Sequence, residues 1–371
     1  ESRGRFPNGT GPWTTFTTTI SPGQANYLPK ADGLKLNEIL AINDNAVIDP
    51  LGRTSDWIEI WNNSTTSIDL AGMSLSIDKV EPGQWSFPDS AKLRAKGRLL
   101  VWCNGSRDPE LGPADYLNTG HSLNGTHGTV YLFNAVEQII DRVSYGFQVP
   151  DLPIGRDRNG DWTLLSSISP GRENKPPALL ATTSRLVINE WMANDRNGDW
   201  IELHNPTNRD IDLGGAGLGD GVALEPTFFF PAYTILPSKG HLVVWCDDQK
   251  ESPGLHTGFA LDADGQNIAL WWPGDEGLKI QDAIGFGPQA DDLSIGREPD
   301  GLGPWTLNTP TPGLANVGSD TGIMRSLVIN EWMARPEDGD DWLELFNNSS
   351  LPIPLTGLKL SADPSQPDKT V

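Results

Sequence analysis

A repeat constrains this chain more than any other feature. Leu36-Asn37-Glu38-Ile39, Val187-Ile188-Asn189-Glu190-Trp191-Met192-Ala193 and Val328-Ile329-Asn330-Glu331-Trp332-Met333-Ala334 share one pattern. Each leads through a polar loop to Asp-Trp-aliphatic-Glu-aliphatic, at Asp56 to Ile60, Asp199 to Leu203 and Asp341 to Leu345. Trp57 and Trp200 lie 143 residues apart, Trp200 and Trp342 lie 142 apart, and Cys103 and Cys246 lie 143 apart. Landmarks in register at one period mean one structural unit used several times.

Later landmarks occur in pairs. Gly97 to Cys103 matches Gly240 to Cys246. Ile154-Gly155-Arg156 with Ser169-Pro170-Gly171 matches Ile295-Gly296-Arg297 with Thr311-Pro312-Gly313. Gly4-Arg5, Pro12-Trp13-Thr14 and Ser21-Pro22-Gly23 repeat this closing element once more. The expected organisation is therefore the last strands of a preceding repeat over 1–30, whole repeats over 34–175 and 186–317, and the first strands of another over 327–371. Lys175 to Ser184 and Gly318 to Arg325 read as short polar or Pro-containing connections. The chain opens in mid-pattern, as an internal segment would.

Within a repeat the local signals are those of strands. Gly 40 and Pro 30 among 371 residues suit turns and not helices. Trp200-Ile201-Glu202-Leu203-His204 alternates between turn residues, and His241 to Cys246 is an apolar run of strand length. Asp264-Gly265 before Asn267 to Trp272 signals a hairpin. Short strands between turns predict an all-β chain of tandem β-sandwiches. Trp200, Trp245 and Trp305 recur at strand positions, as core residues would. Trp271 and Trp272 are adjacent and point to opposite faces, so one is a candidate for surface contact or sugar stacking.

The order Ile-Asn-Glu-Trp-Met-Ala, Asp-Trp-Ile-Glu-Leu, Asp212-Leu213-Gly214-Gly215, Leu-Val-Val-Trp, His256 to Leu261, Ile-Gly-Arg and Trp-Thr resembles the lamin-tail domain family in its bacterial secreted form. The resemblance implies immunoglobulin-like sandwiches of lamin-tail type in an exported, multidomain surface protein. It supplies no catalytic residues. The first repeat departs from the pattern, with Ile39-Leu40 in place of Trp-Met and a longer loop over Ala41 to Ser55.

The recurring glutamates are the first candidates for chemistry. Glu190 and Glu202 fall on neighbouring predicted strands, as do Glu38 with Glu59 and Glu331 with Glu344. A carboxylate pair could perform acid–base work. Its recurrence in every copy favours a structural role, and the recurring Arg5, Arg156 and Arg297 are the expected ion partners, tying first to last strands. Asp195, Asp199, Asp262 and Asp264 are oxygen ligands near glycine turns and form a candidate calcium site, and no other cofactor is expected. Asp-Gly turns need no metal, however. No zinc spacing joins the histidines to the cysteines, and Cys103 and Cys246 are expected to be buried free thiols.

The formal net charge is −22, which repels nucleic acid and anionic membrane surfaces. No apolar run is long enough to insert as a helix into a membrane. The expectation is a non-enzymatic structural or adhesive repeat region of an extracellular or cell-surface protein, as a filament or stalk subunit. Its partners would be copies of itself or neighbouring surface proteins. The alternative is a targeting module that binds a surface or polysaccharide for a larger secreted enzyme. Exposed aromatic surface separates the two.

Overall fold

The computed structural model describes residues 2–5, 8–10, 13–16, 21–24, 26, 33–77, 80–109, 116–221, 226–249, 252–274, 277–361, 363 and 365. The rest of the expected 1–30 and 327–371 segments, including Pro12, lies outside the described residues.

Two sandwiches are built to one plan. In the first, five strands hydrogen-bond in the order Trp162–Leu164, Ile154–Arg156, Leu34–Leu40, Asp56–Asn62 and Arg98–Cys103. A four-stranded sheet faces them, ordered Ile139–Tyr145, Gly128–Phe133, Ser74–Ile77 and Trp85–Ser86. In the second, the large sheet runs Leu255–His256, His241–Trp245, Trp200–His204, Val187–Met192, Ser294–Arg297, Trp305–Thr309 and Val317–Gly318. Its small sheet is Phe228–Phe229, Gly217–Gly219, Asn267–Gly274 and Gly277–Gly285. Among the described residues the helical elements are two 3₁₀ turns, Thr183–Arg185 and Met324–Ser326.

The core of each sandwich is the set of inward residues from both sheets. Leu36, Ile58, Ile60 and Val101 meet Leu75, Val130, Leu132 and Val143 in the first. Ile188, Ile201, Leu203 and Val244 meet Leu218, Ile268 and Leu270 in the second. The first repeat's departure is absorbed locally: Ile39 joins the main core, and Leu40 packs with Trp57, Trp102 and Tyr116. In the second repeat Trp191 fills the core, with its ring 4.7 Å from that of Trp305 and 5.3 Å from that of Phe286.

The recurring asparagine after the Asp-Trp strand closes a turn. The Asn62 amide donates to the carbonyls of Thr66, Leu93 and Arg94, and the Asn205 amide to those of Arg209, Leu236 and Pro237. One side chain thus satisfies three backbone acceptors where strands separate. Asp264-Gly265 is not the hairpin that its sequence suggested. It is a turn entering Asn267–Gly274, with Gly265 N–H donating to Asp262 O, and the hairpin reverses later, between Gly274 and Gly277.

The two sandwiches are joined by more than the chain. Gly146 N–H donates to Ala232 O at 2.9 Å, Ile235 N–H to Phe147 O at 2.7 Å, and the Gln148 amide to Tyr233 O at 2.8 Å. Ile235 lies in the second repeat yet is buried in the first core, whereas Phe147 of the first repeat packs on the second core. The expected polar spacer from Lys175 is also structured: Leu165 bridges to Pro177, Ala178 and Leu180 pack on the first core, and Ala181 packs on the second.

A hairpin of Ser2–Arg5 with Trp13–Phe16 has the pairing of the closing hairpins of the two sandwiches. The Asn26 amide donates to Arg5 O, as the Asn174 and Asn316 amides do to Arg156 O and Arg297 O. At the other end Leu327–Met333 pairs with Trp342–Asn347. Trp332 there is 70% exposed, whereas its equivalent Trp191 is 1% exposed.

Candidate functional site: the buried carboxyl layer

The recurring glutamates stand opposite one another on paired strands, Glu38 against Glu59 and Glu190 against Glu202. All four are fully buried. The register shifts by one residue just before each pair, between Leu36 and Glu38, between Ile188 and Glu190, and again between Ile329 and Glu331. A bulge re-aims the extra residue, and here the extra residue is the recurring asparagine. Asn37 Nδ2 donates to Glu59 Oε1 at 2.6 Å, and Asn189 Nδ2 to Glu202 Oε1 at 2.9 Å. Asn330 makes the same bond to Glu344.

The closing loop supplies the other donors. Ser169 N–H and Oγ donate to the two oxygens of Glu38 at 2.9 and 2.7 Å, and Gly171 N–H donates to Glu59 Oε2 at 2.5 Å. In the second sandwich Ser294 Oγ and Thr311 serve Glu190, and Gly313 N–H serves Glu202 at 2.7 Å. This is the role of the recurring Ser/Thr-Pro-Gly: it ties the end of each repeat to its first two strands.

Burial pushes every one of these carboxyls up, because the low-dielectric interior disfavours charge. Glu59 rises to about 7 and Glu202 to about 8, while Glu38 and Glu190 are raised by the same cause. In each case the hydrogen-bond donors oppose the shift without cancelling it. The nearby second carboxyl adds to it for Glu59 and Glu202. Every carboxyl oxygen already accepts a bond from the protein, and no face is open to a substrate.

The expected arginine–glutamate pairing is corrected. Arg156 gives Nε to Leu36 O, one terminal nitrogen to Gly160 O, and the other to both oxygens of Asp141 at 3.0 and 2.8 Å. Arg297 repeats this with Ile188 O and Asp282, and the two guanidinium groups lie over Trp162 and Trp305, 4.9 and 4.2 Å from the ring centres. Asp141 and Asp282 also accept from Leu36 N–H and Ile188 N–H. These aspartates sit on the edge strand of the small sheet, and the arginines sit on the large sheet. The ion pair therefore clamps sheet to sheet. The four glutamates take their hydrogen bonds from neutral donors and have no part in this clamp. Asp141 and Asp282 escaped the sequence reading because only one Asp in an Ile-x-Asp context marks them.

The remaining expected site residues are engaged locally. Asp195 and Asp262 accept from Asn197 N–H and Asp264 N–H within their own turns, and Asp199 accepts from Leu261 N–H. Among the described residues no group of three or more His, Cys, Asp or Glu side chains is arranged to hold a metal ion. Trp271 is 3% exposed, against the close approach of Gly219, and Trp272 is half-buried against the second core. Neither offers an open aromatic platform. Trp200 is buried, and Trp245 and Trp305 are half-buried. Cys103 and Cys246 are buried free thiols, and burial raises both. His256 Nδ1 lies 2.5 Å from Asp247 Oδ1. A polar cleft of about 550 Å³ is lined by residues including Arg53, Ser55, Asp56, Asn104 and Ser122, and its Asp56 accepts from Asn43 N–H.

The layer can hold protons and staple strands; it cannot receive a substrate. No curated protein matches the chain. The family model described as Lamin Tail Domain matches residues 29–147 and 180–285, one stretch in each sandwich. Two immunoglobulin-like sandwiches of one plan, each stapled by the same Asn–Glu–Glu layer and matched by the same model, place this chain in the lamin tail domain family.

Proposed function

We propose that this tandem of lamin tail domains is a non-enzymatic structural segment of an extracellular or cell-surface protein, a rigid stalk or filament element whose partners are further copies or neighbouring surface proteins. The observation that carries this reading is the joint between the sandwiches. Strand-like hydrogen bonds over 146–148 and 232–235, with Ile235 and Phe147 exchanged between cores, hold two domains in one orientation. Domains joined only by a linker move freely, and a targeting module has no need to suppress that motion. The tryptophans add support, since in the two sandwiches they are buried or half-buried and present no flat platform for sugar rings.

Small-angle scattering of the chain tests the reading. A single narrow inter-domain distance is expected, and Gly146→Ala should broaden it. A β-carbon there would stand 1.9 Å from Thr234 Oγ1, across the joint. A broad distribution in the unaltered chain would overturn the rigid-element reading. Saturable binding to an insoluble polysaccharide would replace it with the targeting reading.

A further inference from the structure

The two carboxyl layers differ in one neighbour. In the first sandwich Arg98 crosses from the adjacent strand, with Nε 3.4 Å from Glu59 Oε1 and its guanidinium 5.1 Å from the Trp61 ring centre. The nitrogen is close enough to act as a charge, although its N–H is not aligned for a hydrogen bond. Arg98 and Trp61 are a cross-strand pair. The matching pair in the second sandwich is His241 and His204. Their rings stack with centres 4.4 Å apart, and His241 Nε2 turns to Asp300 Oδ2 at 3.2 Å. Asp300 also accepts from Asn316 N–H at 3.0 Å, and it lies within 3.4 Å of the Asn189 amide that serves Glu202. A fixed cation beside the first layer is thus replaced by a titratable ring and an extra carboxylate beside the second.

The charged and titratable groups around the second layer can be named element by element. Glu190 comes from the first strand, Glu202 and His204 from the second, and His241 from the third. Asp300 follows the Ser294–Arg297 strand, and Lys239 precedes the His241 strand and gives its ammonium to Pro206 O. Arg297 is committed to Ile188 O and Asp282. No arginine stands at the Arg98 position.

We propose that the second sandwich is the more alkaline-sensitive of the two: Arg98 stands beside the Glu38–Glu59 layer, no arginine stands at the matching place beside Glu190–Glu202, and loosening of the second sandwich therefore continues to higher pH than loosening of the first. The sign follows from linkage. A carboxyl raised above its unfolded value of about 4.3 binds its proton more tightly when folded. Its stabilising effect is complete below that value and is lost as pH rises through the folded value. For Glu59 the loss ends at about 7, and for Glu202 at about 8. His204 acts in the opposite sense. Burial and the neighbouring His241 lower it to about 4, so its contribution is whole above its unfolded value of about 6.5 and is lost as pH falls from there to about 4. The distinguishing window is therefore above neutrality. Because Ile235 and Phe147 interlock the cores, loosening of the second sandwich would reach the joint.

Hydrogen–deuterium exchange of the whole chain, corrected for the base dependence of intrinsic exchange, reads each sandwich separately. As pH rises above neutrality, the opening constant over Val187–His204 and Ser294–Thr309 should go on rising, by up to about tenfold per pH unit, after that over Leu34–Asn62 and Ile154–Leu164 has levelled off. His241→Arg should abolish the difference, and so should Glu202→Gln if it folds. Parallel behaviour of the two sandwiches, or an unchanged pH response in His241→Arg, would overturn the proposal.

Discussion

Replacing Ile235 by Ala offers a direct test of the shared joint, because sequence position and packing assign this residue to different domains. Ile235 pairs with Asp212 inside the second repeat, but its side chain is fully buried in the core cluster of the first. Truncating a buried Ile to Ala removes transfer free energy and leaves a cavity, together about 2–5 kcal/mol. Tyr233 and Ala178 are only partly buried there and can relax inward, which favours the lower half, about 2–3 kcal/mol. At about 1.4 kcal/mol per tenfold, opening of the first sandwich should accelerate by about 30- to 150-fold. Leu236 is the control. It is the next residue, equally buried, and belongs to the second core. Leu236→Ala should destabilise the second sandwich by a similar amount. Exchange protection over Leu34–Leu40 and Val187–Met192 separates the outcomes. If Ile235→Ala lowered protection only over Val187–Met192, the core exchange would be wrong, and with it the case for a fused pair.

Two further results are expected. Asp282→Asn removes the charge that holds Arg297 and weakens the acceptor for Ile188 N–H, so the second sandwich should lose about 1–3 kcal/mol in denaturant unfolding; an unaltered midpoint would mean that the sheet-to-sheet clamp contributes nothing. Cys103 and Cys246, buried and raised, should resist thiol reagents in the native chain and react only at the rate of unfolding, so rapid labelling of either would contradict its burial.

The repeat, the all-β class and the strand positions were legible because they rest on local, periodic signals. Asp-Trp-Ile-Glu-Leu between turn residues marks a strand, which the structure buries on both faces, and the three copies reinforce one another. The opposition of the two glutamates was legible too, from recurrence on neighbouring strands. Their partners were not. A buried carboxyl can be satisfied by an arginine or by a ring of neutral donors, and spacing along the chain does not distinguish them. The bulge at Asn37 and Asn189, which aims the amide at the glutamate, depends on a register between strands that only the folded sheet defines. Trp271 and Trp272 misled for a related reason. Alternation correctly sends one ring outward, but the outer face at Gly219 is closely packed, so the outward ring is covered. Asp264-Gly265 carries the composition of a hairpin turn, yet the strand that a hairpin would need before it is absent from that side.

What the two copies share and what they do not share separate two kinds of information. The Asn–Glu–Glu layer, the Ser/Thr-Pro-Gly loop and the Arg–Asp clamp recur with the same bonds. They tie the first, second and closing strands and the two sheets together in both sandwiches. The differences lie at positions that folding leaves free. Lys92 occupies the place in the first repeat that Ile235 holds in the second, on strands that pair in the same way. A lysine there suits a solvated strand; an isoleucine there demands a neighbouring core. In the same way Arg98 and His241 occupy one site on one strand pair, and either supports the fold at neutral pH. Once the carboxyls ionise, only the arginine is expected to offset their charge. The joint and the alkaline response therefore both arise from substitutions within an unchanged frame. Exchanging single residues between the copies, Ile235→Lys for the joint and His241→Arg for the carboxyl layer, should remove each property without altering the other, since the two sites share no hydrogen-bond partner.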